Sequence, residues 1–290
     1  MIDHRLCIVG LGLMGGSLAR ALKGKTSHIT GDDRHAATRQ QALADGAVDL
    51  ATESLAVGVA GADLIILATP VRAILQTLRE LPALKPAGCF VLDMGSTKLA
   101  INQEMEELPG SFAALGGHPM CGKETAGYQA ADAALFQGKT FILTRNKRST
   151  PAVEALALQI IDLLGARPLF LSAQHHDQLV ATVSHLPYLL SAALMQVASG
   201  KKDEYLWPTS ASGFRDASRL AGSDPQMLLD ILLTNKAAVL EQMHAYQQEL
   251  DAVTQLLAGA DEEALAAWLN AAQRQHIGYR QAAANIEDES

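Results

Sequence analysis

A histidine in a glycine-rich stretch is the first candidate for chemistry in this chain. The stretch reads GGHPMCGKETAG, from Gly116 to Gly127, and it contains His118. No helical or strand periodicity runs through it, so we predict a loop. Glycines let a backbone approach a ligand closely, and an imidazole can hold or release a proton near neutral pH. His118 is therefore a candidate proton acceptor, with a surface or capping role as the alternative.

Ser96 is a second candidate, in the sequence DMGSTK after a strand predicted at residues 89–93. Doubly wound sheets bind ligands at the carboxyl ends of their strands. From there the Ser96 hydroxyl could hydrogen-bond a catalytic group. Ser96 or Thr97 could equally cap the helix that follows, a role that does not exclude the first.

The N-terminal segment has the pattern of a dinucleotide-binding turn. An apolar run at residues 5–9 leads into GLGLMGGS, and a helical pattern follows Ser17. In this setting the glycines allow a tight turn, a close approach to pyrophosphate and close packing of helix on strand. Pyrophosphate would lie at the positive N-terminus of the helix. The predicted cofactor-binding residues of this turn are Gly10, Gly12, Leu13, Met14 and Gly15.

The residues after the second predicted strand, at 28–31, bear on the choice of cofactor. Asp33 is expected to bind the ribose hydroxyls of NAD and to repel a 2′-phosphate, with Asp32 as the alternative. Arg34 follows directly and could flank an adenine or meet a phosphate, so NADP stays possible. A solvated turn is the other interpretation of these residues.

A further buried strand is predicted within residues 62–71, ADLIILATPV. It ends in Thr69 and Pro70, which we place at the same ligand edge of the sheet and add to the cofactor site.

The bulk composition excludes several classes of function. The formal net charge of −8 argues against a nucleic-acid partner and against an anionic membrane surface. Cys7, Cys89 and Cys121 show neither a CxxC pattern nor zinc-ligand spacing, so we expect no metal site and no disulfide scaffold. The N-terminus has no signal-peptide pattern, and the cytoplasm is the expected compartment.

Four motifs in combination identify a family. GLGLMGGS, LATP, DMGSTK and GGHPMCGKETAG, in this order, resemble the prephenate and arogenate dehydrogenase family of tyrosine biosynthesis, and ALFQGKTFILT fits the same pattern. The resemblance covers nearly the whole chain. It implies that His118 is catalytic, that Ser96 hydrogen-bonds to it, and that Glu124 lies near the substrate mouth.

The resemblance also implies the reaction. Members convert prephenate to 4-hydroxyphenylpyruvate, or arogenate to tyrosine, by oxidative decarboxylation with hydride transfer to NAD(P). A neutral His118 would accept a hydrogen bond from the C4 hydroxyl, and Ser96 would fix its tautomer. The nicotinamide and the aromatisation of the ring supply the chemistry, so no metal is required.

Beyond Ser172 the chain has helical patterns throughout. Residues 179–198, LVATVSHLPYLLSAALMQVA, are nearly apolar all round, so we predict a helix buried on all sides, kinked by Pro187. Its length approaches that of a membrane span. Polar residues interrupt it, however, and a homodimer core explains its burial better.

Two motifs in this half resemble family substrate contacts. SHLP implies that His185 and Tyr188 line the pocket, although a core histidine is the alternative and many members carry a second histidine where Tyr188 stands. GFRDASR implies that Arg219 pairs with the ring carboxylate, for which a guanidinium fork is suited. Arg215 is the less favoured candidate and could serve a structural ion pair. Leu228 stands where many relatives have a tryptophan of the subunit contact.

We therefore predict an α/β Rossmann-type N-terminal domain, residues 1–172, and an all-α C-terminal dimerisation domain, residues 173–290, with the active site between them. One alternative is another two-domain dehydrogenase, of the β-hydroxyacid or imine-reducing type. Such enzymes usually place a lysine on the long helix, where this chain has SHLPY. The other is a non-catalytic NAD-binding regulator, against which the combination of Ser96, His118 and Arg219 argues. The sequence does not decide between prephenate and arogenate.

Overall fold

The computed structural model of the protein describes residues 1–123 and 125–288, with side chains as far as residue 282. The chain forms two compact units, Met1–Lys236 and Ala237–Ser290. Residues 173–236 thus belong to one unit with the sheet. The domain boundary near Ser172 stays a sequence-based prediction.

Within the described residues, eight strands form one sheet in the order β3-β2-β1-β4-β5-β6-β7-β8. All neighbouring strands are parallel except β6 and β7, which are antiparallel. The strands are β1 Ile2–Val9, β2 Thr26–Asp32, β3 Leu50–Thr52, β4 Leu64–Leu67, β5 Phe90–Asp93, β6 Ala113–Pro119, β7 Thr140–Thr144 and β8 Arg167–Leu171.

Helices connect the strands and make up the C-terminal part of the chain. Those in the sheet region are α1 Leu13–Leu22, α2 Ala36–Ala44, α3 Leu55–Ala60, α4 Val71–Leu84, α5 Leu99–Glu106 and α6 Pro151–Leu163. Those that follow are α7 Ala173–Val180, α8 Leu186–Ser199, α9 Ser212–Ser218, α10 Pro225–Thr234, α11 Lys236–Ala258 and α12 Glu262–Asp288. The unit Ala237–Ser290 consists of most of α11 together with α12, joined by a turn at Ala260, which has φ 50°.

The sheet is apolar on both faces, as expected for parallel strands covered by helices. Along β1, Leu6 and Ile8 pack into one hydrophobic cluster, whereas Cys7 and Val9 pack into the other. This alternation follows from the two-residue period of a strand. Burying a side chain such as Leu or Ile contributes about 1.5–3 kcal/mol relative to leaving it exposed. The sheet is therefore a firm platform for the side chains at its edge.

The predicted loop around His118 is wrong over its first third, because residues 116–119 belong to strand β6. His118 pairs with Ile142 of β7. The glycines before it are needed for packing, since a Cβ on Gly116 would lie 2.2 Å from Thr144 Oγ1 and one on Gly117 2.5 Å from the Asp93 carbonyl oxygen. These glycines let neighbouring strands and side chains approach closely.

The glycine turn at the N-terminus leads into its helix earlier than the pattern after Ser17 suggested. Helix α1 begins at Leu13, so Gly15 and Gly16 lie inside it. A Cβ on Gly16 would lie 2.7 Å from the ring of Tyr128, so the helix start is packed against that ring. The absence of side chains at Gly15 and Gly16 thus allows close packing around the first turn of α1.

The long apolar segment is interrupted where Pro187 predicts an irregularity. Residues Ala181–His185 form a π-helical turn between α7 and α8, in which the Leu186 N–H donates to the Ala181 carbonyl. Pro187 has no N–H to donate to a carbonyl one turn earlier. The π-helical turn directly precedes the helix that carries this proline, where the regular hydrogen-bond pattern is interrupted.

In the single chain, the long apolar segment is not buried on all sides. Val183 and Val197 are 66% and 68% exposed, and in α8 Ser191 is the one buried residue. By length and composition alone, Ala173–Ser199 could cross a membrane. One such helix is weak evidence, since helices of soluble proteins share these properties. The single chain therefore leaves an apolar face of this segment exposed.

Candidate active site

The glycine turn at the carboxyl end of β1 has the geometry of a pyrophosphate cradle. Gly10 has φ +92°, and a Cβ on Gly15 would lie 1.8 Å from the Gly10 carbonyl oxygen, so the fold itself requires both glycines. A Cβ on Gly12, in contrast, would meet nothing within 4 Å. The open space at Gly12 fits a ligand that approaches the backbone.

Helix α1 begins directly after Gly12, beside this space. Gly12 is the N-cap residue, and no side chain caps the helix. The four N–H groups that open a helix lack intrahelical partners and favour an anion. The predicted residues Leu13 and Met14 form the first turn of this helix. The turn thus fits the pyrophosphate of a dinucleotide.

Asp33 lies directly beside the turn. One carboxylate oxygen accepts from the Leu11 N–H at 2.9 Å, and the other accepts from the His35 N–H at 2.8 Å. Arg34 is exposed and donates from Nε to His35 Nε2 at 3.1 Å. The acidic residue favoured from the sequence is therefore anchored to the glycine turn.

Asp32, the alternative, is more enclosed. Burial raises the pKa of Asp32 to about 6, and the neighbouring Asp33 acts in the same direction. Its Oδ1 is buried without a hydrogen-bond partner among the described atoms. Thr69 Oγ1, just beyond the end of β4, is likewise buried without a hydrogen-bond partner among the described atoms. A Cβ on Gly10 would lie 2.7 Å from the methyl group of Thr69. Pro70, the N-cap of α4, follows it. Buried oxygens without partners at this edge are consistent with a polar ligand.

A buried ion pair fixes the backbone next to His118. Lys98 Nζ contacts Asp93 Oδ2, and both side chains are completely buried. Lys98 Nζ also donates to the Gly117 carbonyl oxygen at 2.6 Å, while Asp93 accepts from the Gly117 N–H at 3.0 Å. Both polar groups of the peptide at Gly117 are therefore held.

His118 itself contacts a second histidine. His118 Nδ1 lies 2.8 Å from His176 Nε2, and His176 Nδ1 lies 2.7 Å from Asp177 Oδ1. Asp177 also accepts from the N–H groups of Lys98 at 2.7 Å and Leu99 at 3.0 Å, at the start of α5. A chain of hydrogen bonds thus runs from the start of α5 to His118.

The surroundings keep His118 neutral. Burial lowers the pKa of His118 well below its ordinary value of 6.5, and His176, Lys98 and His185 act in the same direction. Burial likewise lowers the pKa of His176, against the opposing effect of Asp177. Near neutral pH, His118 can therefore accept a proton.

In the described part of the chain no hydrogen bond joins Ser96 to His118, whose Nδ1 faces His176 instead. Neither Ser96 nor Thr97 caps α5, because Asp177 takes that place. The Thr97 hydroxyl contacts the Thr234 hydroxyl at 2.9 Å.

His176 and Asp177 were missed as site residues by the sequence analysis. The signal that could have found them is a His-Asp pair just after the last strand, at the start of a largely apolar helical segment. Ser172 caps α7 by accepting from the His175 N–H, which fixes the start of this helix.

His185 belongs to the same buried polar group. It is 1% exposed, and its Nδ1 lies 3.2 Å from Asn235 Nδ2, which also donates to the Asp177 carbonyl oxygen at 2.7 Å. Burial lowers the pKa of His185 to about 4. Tyr188 is partly buried one turn further along, in α8.

The two candidate arginines are exposed. Arg219 begins a 3₁₀ turn that is tied to α8, because the Ala221 N–H donates to Ser191 Oγ at 2.9 Å. Arg215 lies 3.8 Å from Asp216, consistent with the ion pair suggested for it. Glu124 lies outside the described residues.

Two family models match consecutive parts of this chain. Residues 18–169 match the nucleotide-binding domain of prephenate dehydrogenase, and residues 172–271 match its dimerization domain. The chain belongs to the prephenate dehydrogenase family. This confirms the resemblance read from the motifs, and the predicted fold class is confirmed with it.

Individual family members are similar over nearly their full length. A cyclohexadienyl dehydrogenase of Zymomonas mobilis is 32% identical over 270 residues, which cover 91% of this chain and 92% of the relative. Prephenate dehydrogenase from A. aeolicus, solved with hydroxyphenyl propionate and NAD+, superposes with a TM-score of 0.89 at 29% identity, over 96% of this chain and 99% of that one. Synechocystis arogenate dehydrogenase superposes with a TM-score of 0.80 at 32% identity, over 95% of this chain and 99% of that one.

Proposed function

We propose that this chain is an NAD-dependent dehydrogenase that oxidatively decarboxylates prephenate, arogenate or both. The observation that carries the proposal is the position of His118 on β6, 2.8 Å from His176, in a chain of the prephenate dehydrogenase family; burial lowers the pKa of His118 and so favours its neutral form. Because both parts of the chain match models of this one family, neither a β-hydroxyacid-type dehydrogenase nor a non-catalytic regulator is favoured.

The cofactor site is assigned to the glycine turn. The open space at Gly12 and the uncapped start of α1 would hold the pyrophosphate. Asp33, anchored to Leu11, would bind the adenosine ribose and disfavour a 2′-phosphate, which supports NAD over NADP. When bound, the nicotinamide supplies the hydride acceptor for carbon C4 of the substrate.

His118 moves the proton. Its neutral imidazole takes the proton of the C4 hydroxyl as C4 is oxidised to a carbonyl. The ring carboxylate then leaves as CO2, and its bonding electrons complete the aromatic ring as a phenolate. His118 is placed to return the proton to that oxygen. No further oxidant is needed, because the hydride leaves with the cofactor.

The substrate-binding residues are assigned by the same proposal. Arg219 would bind the ring carboxylate through its planar guanidinium, with Arg215 as the less favoured candidate. His185, Tyr188 and Glu124 would contact the rest of the substrate, and the side chain that distinguishes prephenate from arogenate would lie near Tyr188 and Glu124.

A homodimer is proposed as the working form, in the cytoplasm. Residues 172–271 match a dimerization domain, and Val183 and Val197 leave an apolar face exposed in the single chain. Light scattering at low micromolar concentration should report about twice 30.8 kDa. A stable monomer at that concentration would contradict this part of the proposal.

The deciding experiment is the measurement of kcat/KM for prephenate and for arogenate, each with NAD and with NADP. We expect turnover of at least one substrate, with release of CO2 and a higher kcat/KM for NAD. A folded protein that binds NAD yet turns over neither substrate would refute the proposed activity. A higher kcat/KM with NADP would refute the role of Asp33.

A further inference from the structure

We infer that His176 and Asp177 are positioning residues that fix the tautomer of His118, so that His118 Nε2 is the atom that accepts the proton. The catalytic meaning of this inference rests on the proposed function. The tautomer itself does not, because it follows from the hydrogen-bond partners along the chain.

The argument starts at Asp177. Its carboxylate accepts from the N–H groups of Lys98 and Leu99, which can only donate. It also lies at the positive end of α5, where a negative charge is favoured. Asp177 is therefore an ionised acceptor, and the hydrogen between it and His176 belongs to His176 Nδ1, 2.7 Å away.

The proton on Nδ1 determines the other nitrogen of His176. A neutral imidazole has one donor and one acceptor nitrogen, so His176 Nε2 is then an acceptor. The ring is completely buried and lies in the field of Lys98, which disfavours a second proton. Asp177 and Asp93 act against this, but the burial of His176 outweighs them.

The same rule then fixes His118. Across the 2.8 Å contact, His176 Nε2 accepts, so His118 Nδ1 must donate. His118 Nε2 is left with its lone pair free for the substrate hydroxyl. Without these hydrogen bonds the ring could also carry its proton on Nε2, and Nε2 could then not accept the proton of the substrate hydroxyl.

Asp177 and His176 together resemble the carboxylate that orients the histidine of a catalytic triad. Here the imidazole of His176 lies between the carboxylate and the catalytic histidine. The function expected for Ser96 is thereby taken over by His176. The partners lie 58 residues apart in the sequence, so they meet only in the folded chain.

The test compares two variants of the full-length protein. His176→Leu removes the acceptor, whereas His176→Gln keeps a carbonyl oxygen that can accept from His118 and an amide that can donate to Asp177. We expect His176→Leu to lower kcat by between about 10- and 10⁴-fold, the upper value being the loss for a catalytic histidine in the wrong tautomer. KM for substrate and Kd for NAD should stay close to wild type, and His176→Gln should recover most of kcat.

Nitrogen NMR of histidine-labelled protein reads the tautomer directly, with the His118 signal assigned by its loss in His118→Asn. We expect a protonated Nδ1 and a bare Nε2 in the wild type and in His176→Gln, and a change in His176→Leu. A wild-type His118 that carries its proton on Nε2 would overturn the inference. So would an unchanged kcat and pH profile in His176→Leu, or an equal loss in both variants without a change of tautomer.

The NMR result also separates this inference from the proposed activity. Suppose that the wild type turns over neither substrate but shows the expected tautomer of His118, and that His176→Leu loses this tautomer. The proposed function would then be refuted, whereas the inference about the hydrogen-bond chain would be supported. If His176→Leu did not fold, the wild-type spectrum and the His176→Gln variant would still decide.

Discussion

The ammonium of Lys98 contacts the carboxylate of Asp93 where both side chains are fully shielded from solvent. The pair holds the peptide of Gly117 through its carbonyl and its N–H. His118 is the next residue, so the position of its ring depends on a buried charge pair between the end of β5 and the start of α5.

Lys98→Met should destabilise the protein strongly. It leaves the Asp93 charge buried without its partner, which typically costs about 3–5 kcal/mol. Urea unfolding followed by circular dichroism measures this. The control is Arg79→Met, which breaks the surface pair with Glu104. We expect a clearly smaller effect there, and equal losses in the two variants would contradict the importance of the buried pair.

Gly12→Ala and Gly15→Ala should separate ligand binding from folding. Gly12→Ala places its Cβ in open space. We expect Kd for NAD to rise at least about tenfold, or 1.4 kcal/mol, while stability falls by about 1 kcal/mol or less, because alanine is a poorer N-cap than glycine. Gly15→Ala places a Cβ against the Gly10 carbonyl, and such overpacking costs about 1–3 kcal/mol or more. Calorimetry measures Kd for NAD, and thermal unfolding measures the stability of each variant. Unaltered NAD binding in Gly12→Ala would show that the pyrophosphate does not bind at this turn.

His118→Asn keeps polarity and approximate size but removes the base. Loss of a general base lowers rate by ~10²–10⁴-fold, so kcat should collapse while KM for substrate stays nearly unchanged. In the wild type, kcat should fall on the acid side below pH 6.5, because burial depresses the pKa of His118 from that value. This acid limb should vanish in the variant. A variant that keeps most of its kcat and the same pH profile would make His118 structural.

Arg219→Ala should act mainly on substrate binding. Removing the partner of a bound carboxylate typically costs ~2–5 kcal/mol, so KM for substrate should rise steeply while Kd for NAD changes little. Arg215→Ala is the matched control, because Arg215 is also exposed and lies near Asp216. The reverse result, with KM raised in Arg215→Ala alone, would transfer the role to Arg215.

The stability of the protein should fall as the pH is lowered from 6.5 to about 4. In this range His185 is protonated in the unfolded chain but stays neutral in the folded protein. In this range the unfolded chain binds a proton that folded His185 does not, so stability rises with pH. The depressed pKa of His185 corresponds to at most about 3.5 kcal/mol. His118 and His176 act in the same direction. His185→Asn should show a shallower loss in urea unfolding across this range, and an identical slope would place the effect on other groups.

Local patterns in the sequence were sufficient for the fold class, the cofactor turn and the family. The spacing of the glycines in GLGLMGGS predicts a strand, a turn and a helix, which the structure has between Ile2 and Leu22, because each of these depends only on its neighbours in the chain. The same holds for the start of α10, where Asp224 accepts from the Met227 N–H and Pro225 opens the helix, a local pattern of cap and first-turn proline.

The tertiary structure alone decided how His118 is held. Its strand was hidden from periodicity, because Gly116 and Gly117 are required by contacts with Thr144 and Asp93 rather than by any local pattern. The cap of α5 comes from Asp177, 79 residues from Lys98, and the partner of His118 comes from 58 residues away. Such contacts depend on which elements the sheet brings side by side, and that arrangement follows from packing over the whole chain, which no short window of sequence contains.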